Sequence, residues 1–363
     1  MNFRLLPLLS RLLLVLPALA MLPRQAVAGD ETNRAALRAQ FFTLCDAAVV
    51  KVTNAEAKGP YFADSYAVRA LCVAYDLTGK RQYLDACRNW SGRMVEDQSK
   101  MIPPGAYYMH YNRKPGESTN DWYVADSSSI GMAVLATAVR CRGAEQRRLV
   151  DSAKRFAALV MDNYVKPSGG VSDGCWAESN DAWWCSSALF GSFLFNLHAV
   201  TGDRHYLQTA LGVTDWLDRW DLAQDQPFPL SQQGPAMIFY VMENYSAGWR
   251  DIEKDAAIRP AALAKVNWCL DWMAEQQGKA PADRPWPITK GWGMKFGGLP
   301  FHEYVFSQVL PAGEKLKATG DAELERLMPA LLEGKPGFTQ LSVFTMFSCA
   351  QRLDPGAVYR VAK

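Results

Sequence analysis

Two stretches, AYDLTGKRQYLDACRNW (residues 74–90) and HAVTGDRHYLQTALGVTDW (198–216), carry the same rhythm. In each, apolar residues at helical spacing run into Thr-Gly and then Lys or Asp, after which the helical spacing resumes. A glycine there suits a left-handed helix C-cap, so Gly79, Gly202 and, in KLKATGDAELERLMPALL (315–332), Gly320 read as turns between paired helices. None of these glycines sits in a phosphate loop or a dinucleotide fingerprint. The segment 133–160, AVLATAVRCRGAEQRRLVDSAKRFAALV, repeats the hairpin with a different turn.

Extending the rhythm outward predicts twelve helices, at about 31–54, 62–77, 81–98, 126–141, 145–164, 181–200, 203–219, 234–247, 258–277, 298–318, 320–332 and 338–352. Those starting near 62, 126, 181, 234, 298 and 338 are rich in small and aromatic residues and poor in charge. Their partners are amphipathic. Helices apolar on all sides are buried and amphipathic ones face solvent on one side, so the alternation fits an all-α ring of six inner and six outer helices. The competing architecture, an open helical solenoid, calls for more even spacing between repeats.

Composition narrows the class. With 363 residues, 49% hydrophobic, 21% charged and a net charge of +2, the chain is expected to form a globular core and shows no nucleic-acid footprint. Residues 1–28 read as a secretory signal peptide: Arg4 and Arg11 precede the apolar run Leu12 to Pro23, and Ala26-Val27-Ala28 offers a cleavage site before Gly29. The run is too short to span a bilayer, so no membrane association is expected after cleavage. Its three arginines take the +2 of the whole chain to −1 for residues 29–363, which are expected to form one toroidal domain in the periplasm or outside the cell.

The hairpin phrases above, together with GGVSDGCW (169–176), resemble the six-hairpin glycosidase superfamily, nearest to the unsaturated glucuronyl and rhamnogalacturonyl hydrolases. The resemblance implies an (α/α)6 toroid and paired aspartates in loops leading into inner helices. It also implies a W-x-R-G-N-G-W segment, of which Lys290-Gly291-Trp292-Gly293 is a partial counterpart without the arginine and asparagine. That departure bears on the sugar rather than on the fold.

In such a ring the loops before the inner helices gather on one face, and here they are polar and aromatic. Sugar rings stack their apolar faces on aromatic side chains, and carboxylates supply acid and base across a glycosidic bond. In NDWYVADSSS (120–129), Asp121 and Asp126 are acid/base candidates and Trp122 a sugar platform. Asp126 also stands where an N-cap is expected, and capping alone is the plainer reading. In GGVSDGCWAESNDAWWCSS (169–187), Asp181 is the candidate partner carboxylate, itself a possible cap, and Trp176, Trp183 and Trp184 are binding candidates. Trp292 lies before the fifth inner helix and His302 beside its start, and both are binding candidates. The loop PPGAYYMHYNRKPGES (103–118) offers Tyr107, Tyr108, His110 and Tyr111, the residue types a polysaccharide lyase uses to move protons, or else an aromatic rim.

Four histidines without close ligand spacing make a metal site unexpected, and no cofactor is implied. Eight cysteines in an exported chain permit disulfides; Cys72 and Cys87 face each other across the Gly79 hairpin, Cys175 and Cys185 could clip the Trp-rich loop, and buried free thiols are the alternative. The expected activity is hydrolysis of an oligosaccharide or polysaccharide, with one containing uronic acid among the candidates, by carboxylate acid/base chemistry. A polysaccharide lyase and a non-catalytic glycan-binding protein of an envelope or exopolysaccharide system are the alternatives.

Overall fold

The computed structural model describes residues 24–55, 61–109, 122–174, 182–220, 235–278 and 340–354. Ten α-helices run through these residues: α1 (Arg24–Thr53), α2 (Tyr61–Thr78), α3 (Arg81–Gln98), α4 (Val124–Ala138), α5 (Gly143–Asn163), α6 (Trp184–Thr201), α7 (Arg204–Arg219), α8 (Pro235–Ile252), α9 (Arg259–Gly278) and α10 (Gln340–Leu353). The helices expected at 298–318 and 320–332 lie outside the described residues. The remaining ten expectations each meet a helix, with boundaries displaced by a few residues.

Side-chain burial separates two classes. In α6 every residue from Trp184 to Leu197 is buried, as is nearly every residue of α4. In α5 the buried positions are Leu149, Ser152, Ala153, Phe156, Ala157 and Val160, one stripe at three- and four-residue spacing. The more buried helices pack consecutively: α10 against α2, α2 against α4, α4 against α6, and α6 against α8. The striped helices α1, α3, α5, α7 and α9 flank them, and α1 bridges α10 and α2. This is an inner ring within an outer one, as the alternation of charge in the sequence implies.

Small residues let the inner helices approach. A Cβ on Gly131 of α4 would stand 2.7 Å from the ring of Phe193 on α6, and one on Gly248 of α8 would stand 2.3 Å from the ring of Phe195. Each glycine is thus a socket for an aromatic ring of the neighbouring helix. The hairpin turns close as expected: Gly79 and Gly202 have φ of 69° and 73°, and their N–H groups donate to the carbonyls of Tyr75 and His198 at 2.7 Å.

One polar cluster crosses the ring. Arg69 on α2 donates to Glu243 on α8 at 2.7 Å, and the Tyr66 hydroxyl donates to the other carboxylate oxygen at 2.7 Å. Arg69 also lies over the rings of Tyr66 and, on α10, Phe347. Helices α2 and α8 are not packed neighbours, so this pair spans the interior rather than an interface. Arg69 and Glu243 each stand eight residues into their helices, about 12 Å below the helix starts.

The structure corrects one reading of the cysteines. Cys72 and Cys87 do face each other, but at 3.7 Å between sulfurs they are hydrogen-bonded thiols and not a disulfide. Cys45, Cys141, Cys185, Cys269 and Cys349 are likewise buried and free. Cys175 lies outside the described residues. No helix among the described residues is long and apolar enough to cross a membrane.

Candidate functional site

The chain segments that lead into three consecutive inner helices are laced together by backbone bonds. Tyr61 N–H, at the start of α2, donates to Met109 O at 3.0 Å, and Tyr123 N–H, just before α4, donates to Met109 Sδ at 3.1 Å. Tyr123 forms an antiparallel bridge with Gly174, and Val124 N–H donates to Asp173 O at 3.2 Å. Trp183 N–H, just before α6, donates to Val171 O at 2.8 Å. The loops at 101–109 and 165–174 and the starts of α2, α4 and α6 therefore share one face.

Two carboxyl groups lie on that face. Asp126 lies in the first turn of α4 and is half-exposed. Asp173 lies in the loop that precedes α6. Burial raises the Asp173 carboxyl to about 8; the Ser186 hydrogen bond opposes that rise, and the negative charge of Asp126 reinforces it. The same two aspartates, with Glu243 of the central cluster, also act on the buried Cys185 thiol, whose pKa is raised first by desolvation. Asp126 stands where the helix dipole favours a negative charge. Near neutral pH the raised carboxyl of Asp173 holds its proton.

The N-cap reading of Asp126 is corrected. The cap position of α4 is Tyr123, in extended conformation and with no side-chain cap bond, which puts Asp126 three residues inside the helix. The cap of α6 is likewise Trp183 and not Asp181. Extended backbone at Tyr123 and Trp183 follows from their pairing with the 171–174 loop, a long-range contact that overrides the local preference of Asp for caps.

Three expected platforms are packing residues. Trp122 is 1% exposed, set edge-on against Tyr164, and its ring lies 3.0 Å from where a Cβ on Gly174 would be. Trp184 is 3% exposed and stacks at 13° on Trp220, which stacks at 11° on Trp216. Tyr108 is buried, edge-on to Tyr61. None of these faces can receive a sugar ring. Trp183 remains half-exposed beside Trp184 and is the one aromatic candidate among the described residues with open surface.

The lyase reading loses a group as well. Tyr107 is fully buried, with its hydroxyl 2.9 Å from Ser152 Oγ and its phenol pushed up by burial. Asp121, His110, Trp176, Asp181, Trp292 and His302 lie outside the described residues. No group of His, Cys, Asp and Glu suited to a metal occurs among the described residues. Sequence reasoning did not single out Asp173. Its signal was a carboxylate beside a glycine in a Trp-rich loop, a pattern common in solvated turns.

No protein-family model matches the sequence, and none of the curated proteins does. Among solved structures, the chain is similar to the GH76A alpha-1,6-mannanase from Salegentibacter sp. HEL1_6, with a TM-score of 0.53 and 13% identity over 86% of this chain and 100% of that one. It is also similar to inactive variants of that mannanase in which two consecutive aspartates are replaced. The variant in complex with alpha-1,6-mannotetrose gives a TM-score of 0.56 and 14% identity over 88% of this chain and 99% of that one. The variant with alpha-1,6-mannotriose gives 0.54 and 13% over 88% and 100%. The chain thus has the (α/α)6 toroid, the architecture of the six-hairpin glycosidases.

Proposed function

We propose that the chain is an exported glycoside hydrolase that cleaves an oligosaccharide, with Asp173 as general acid and Asp126 as its carboxylate partner. The observation that carries this reading is the pairing of the Asp173 loop with the start of α4, which puts Asp173 and Asp126 on the face where the inner helices begin, with burial raising the Asp173 carboxyl to about 8. Hydrolysis needs one carboxyl that gives its proton to the departing glycosidic oxygen and a second that acts on the far side of the anomeric carbon. The half-exposed Trp183, beside the same loop, supplies an apolar surface for a sugar ring. The fold shared with mannanases bound to alpha-1,6-mannooligosaccharides supports such a substrate class. The sequence contains no two consecutive aspartates, so here the pair would be assembled from separate segments.

The test is product analysis on alpha-1,6-mannotetraose and on a uronate-terminated oligosaccharide, with the full chain and with Asp126→Asn and Asp173→Asn. The expected result is shorter saccharides from the unaltered chain and a loss of about 10²–10⁴-fold in kcat in each variant. Cleavage undiminished in both variants would overturn the assignment. Tight calorimetric binding without cleavage would favour the glycan-binding alternative, and an unsaturated uronide product the lyase. Export rests on Arg4, Arg11, the apolar run and Ala26-Val27-Ala28. It predicts that the secreted or periplasmic protein begins at Gly29, which N-terminal sequencing reads directly.

A further inference from the structure

We infer that Ser186 is the positioning residue of the acid, a role that rests on the assignment of Asp173 above. Inner-helix hydroxyls usually satisfy themselves locally. Ser128 donates to Val124 O, Ser192 to Ala188 O and Ser187 to Trp183 O, each one turn back. Ser186 does otherwise: its hydroxyl reaches out of α6 and donates to Asp173 Oδ1 at 2.5 Å. Ser186 is fully buried, so this bond has no competition from bulk water.

The surroundings hold Asp173 in place for that bond. Ser187, the next residue, accepts Val171 N–H at 2.8 Å through its hydroxyl oxygen. Two successive serines of α6 thus divide the loop between them, one taking its backbone and the other its carboxyl. On the far side Asp173 O accepts Val124 N–H. Gly174 follows with φ of 84° under the Trp122 ring, where any side chain would be strained and would collide. With the loop pinned at both ends, the hydroxyl of Ser186 occupies Oδ1 and leaves Oδ2 as the oxygen that carries and delivers the proton. The other titratable group that acts on Asp173 is Asp126 from α4, and Asp173 in turn raises the buried Cys185 thiol of α6.

A hydrogen bond donated to a carboxylate favours its ionised form, so removing it raises the proton affinity of Asp173. Ser186→Ala is therefore expected to move the alkaline limb of the kcat–pH profile up by about one pH unit, the size of one bond to a charged group. It is also expected to lower kcat about tenfold at neutral pH with little change in KM, and Ser186→Thr should restore most of the rate. The carboxyl ¹³C titration of Asp173, assigned by its absence in Asp173→Asn, reads the same shift without any turnover. An unmoved titration in a folded Ser186→Ala protein overturns the role of Ser186 whatever the substrate. A moved titration together with full activity in Asp173→Asn upholds the bond and overturns the acid assignment instead.

Discussion

At the scale of single residues the proposed chemistry turns on Asp173, and its proton has consequences for both rate and stability. As a general acid with a carboxyl near 8, it is competent only while protonated, so kcat should fall as pH rises through about 8. Stability follows the same proton. The folded value lies above the ordinary 3.8, so the folded state binds this proton more tightly than the unfolded chain does. The resulting stabilisation is complete below about pH 4 and is lost progressively as pH rises to about 8. Asp173→Asn is permanently neutral and should melt higher than the unaltered protein at pH 9, with the difference shrinking toward pH 5; scanning calorimetry at the two pH values reads this. Asp126 was legible in the sequence by type and place, and Asp173 was not. An aspartate in an SDG turn is ordinarily solvated, and nothing local says that the start of α4 packs against its loop and that Ser186 binds its carboxyl.

At the scale of elements, the inner helices pack through sockets. Gly248→Ala adds one methyl group against a fully packed Phe195 ring, and such overpacking costs about 1–3 kcal/mol. Urea denaturation should show that loss. The same substitution at Gly92 of α3, where no atom lies within 4 Å of the added Cβ, should be tolerated or mildly stabilising. The stacked indoles Trp184, Trp220 and Trp216 are a second device of this kind, fastening the start of α6 to the end of α7. In sequence, a Trp that fastens helices and a Trp that faces a ligand look alike. Trp122 and Trp184 were read as platforms on position alone, and their burial is a property of the neighbours that cover them.

At the scale of the whole molecule, the Arg69–Glu243 pair ties opposite sides of the ring. Both groups are fully buried, so Glu243→Ala leaves an uncompensated guanidinium in the interior and should cost about 3–5 kcal/mol, measured as a fall in denaturation midpoint. Replacing both residues together by Met and Leu should recover most of that loss, because a buried ion pair repays little beyond its own desolvation. The cluster also stands about 12 Å below the start of α2, which lies on the face that carries Asp126 and Asp173. The double replacement therefore tests whether the floor of the site tolerates a purely apolar lining.

Much of the architecture could be read before any coordinates. Helices, their inner or outer character and the Thr-Gly turns are written in patterns no longer than a hairpin, because 3.6-residue periodicity and the φ of a glycine are local properties. The placement of Asp126 and Asp173 on one face, the reach of Ser186 and the retreat of Trp122 and Trp184 into the core were not readable in that way. Each depends on distances between segments far apart in the chain and on how completely water is excluded there. Proton affinity and accessible surface answer to those quantities, and they come into being only when the ring closes.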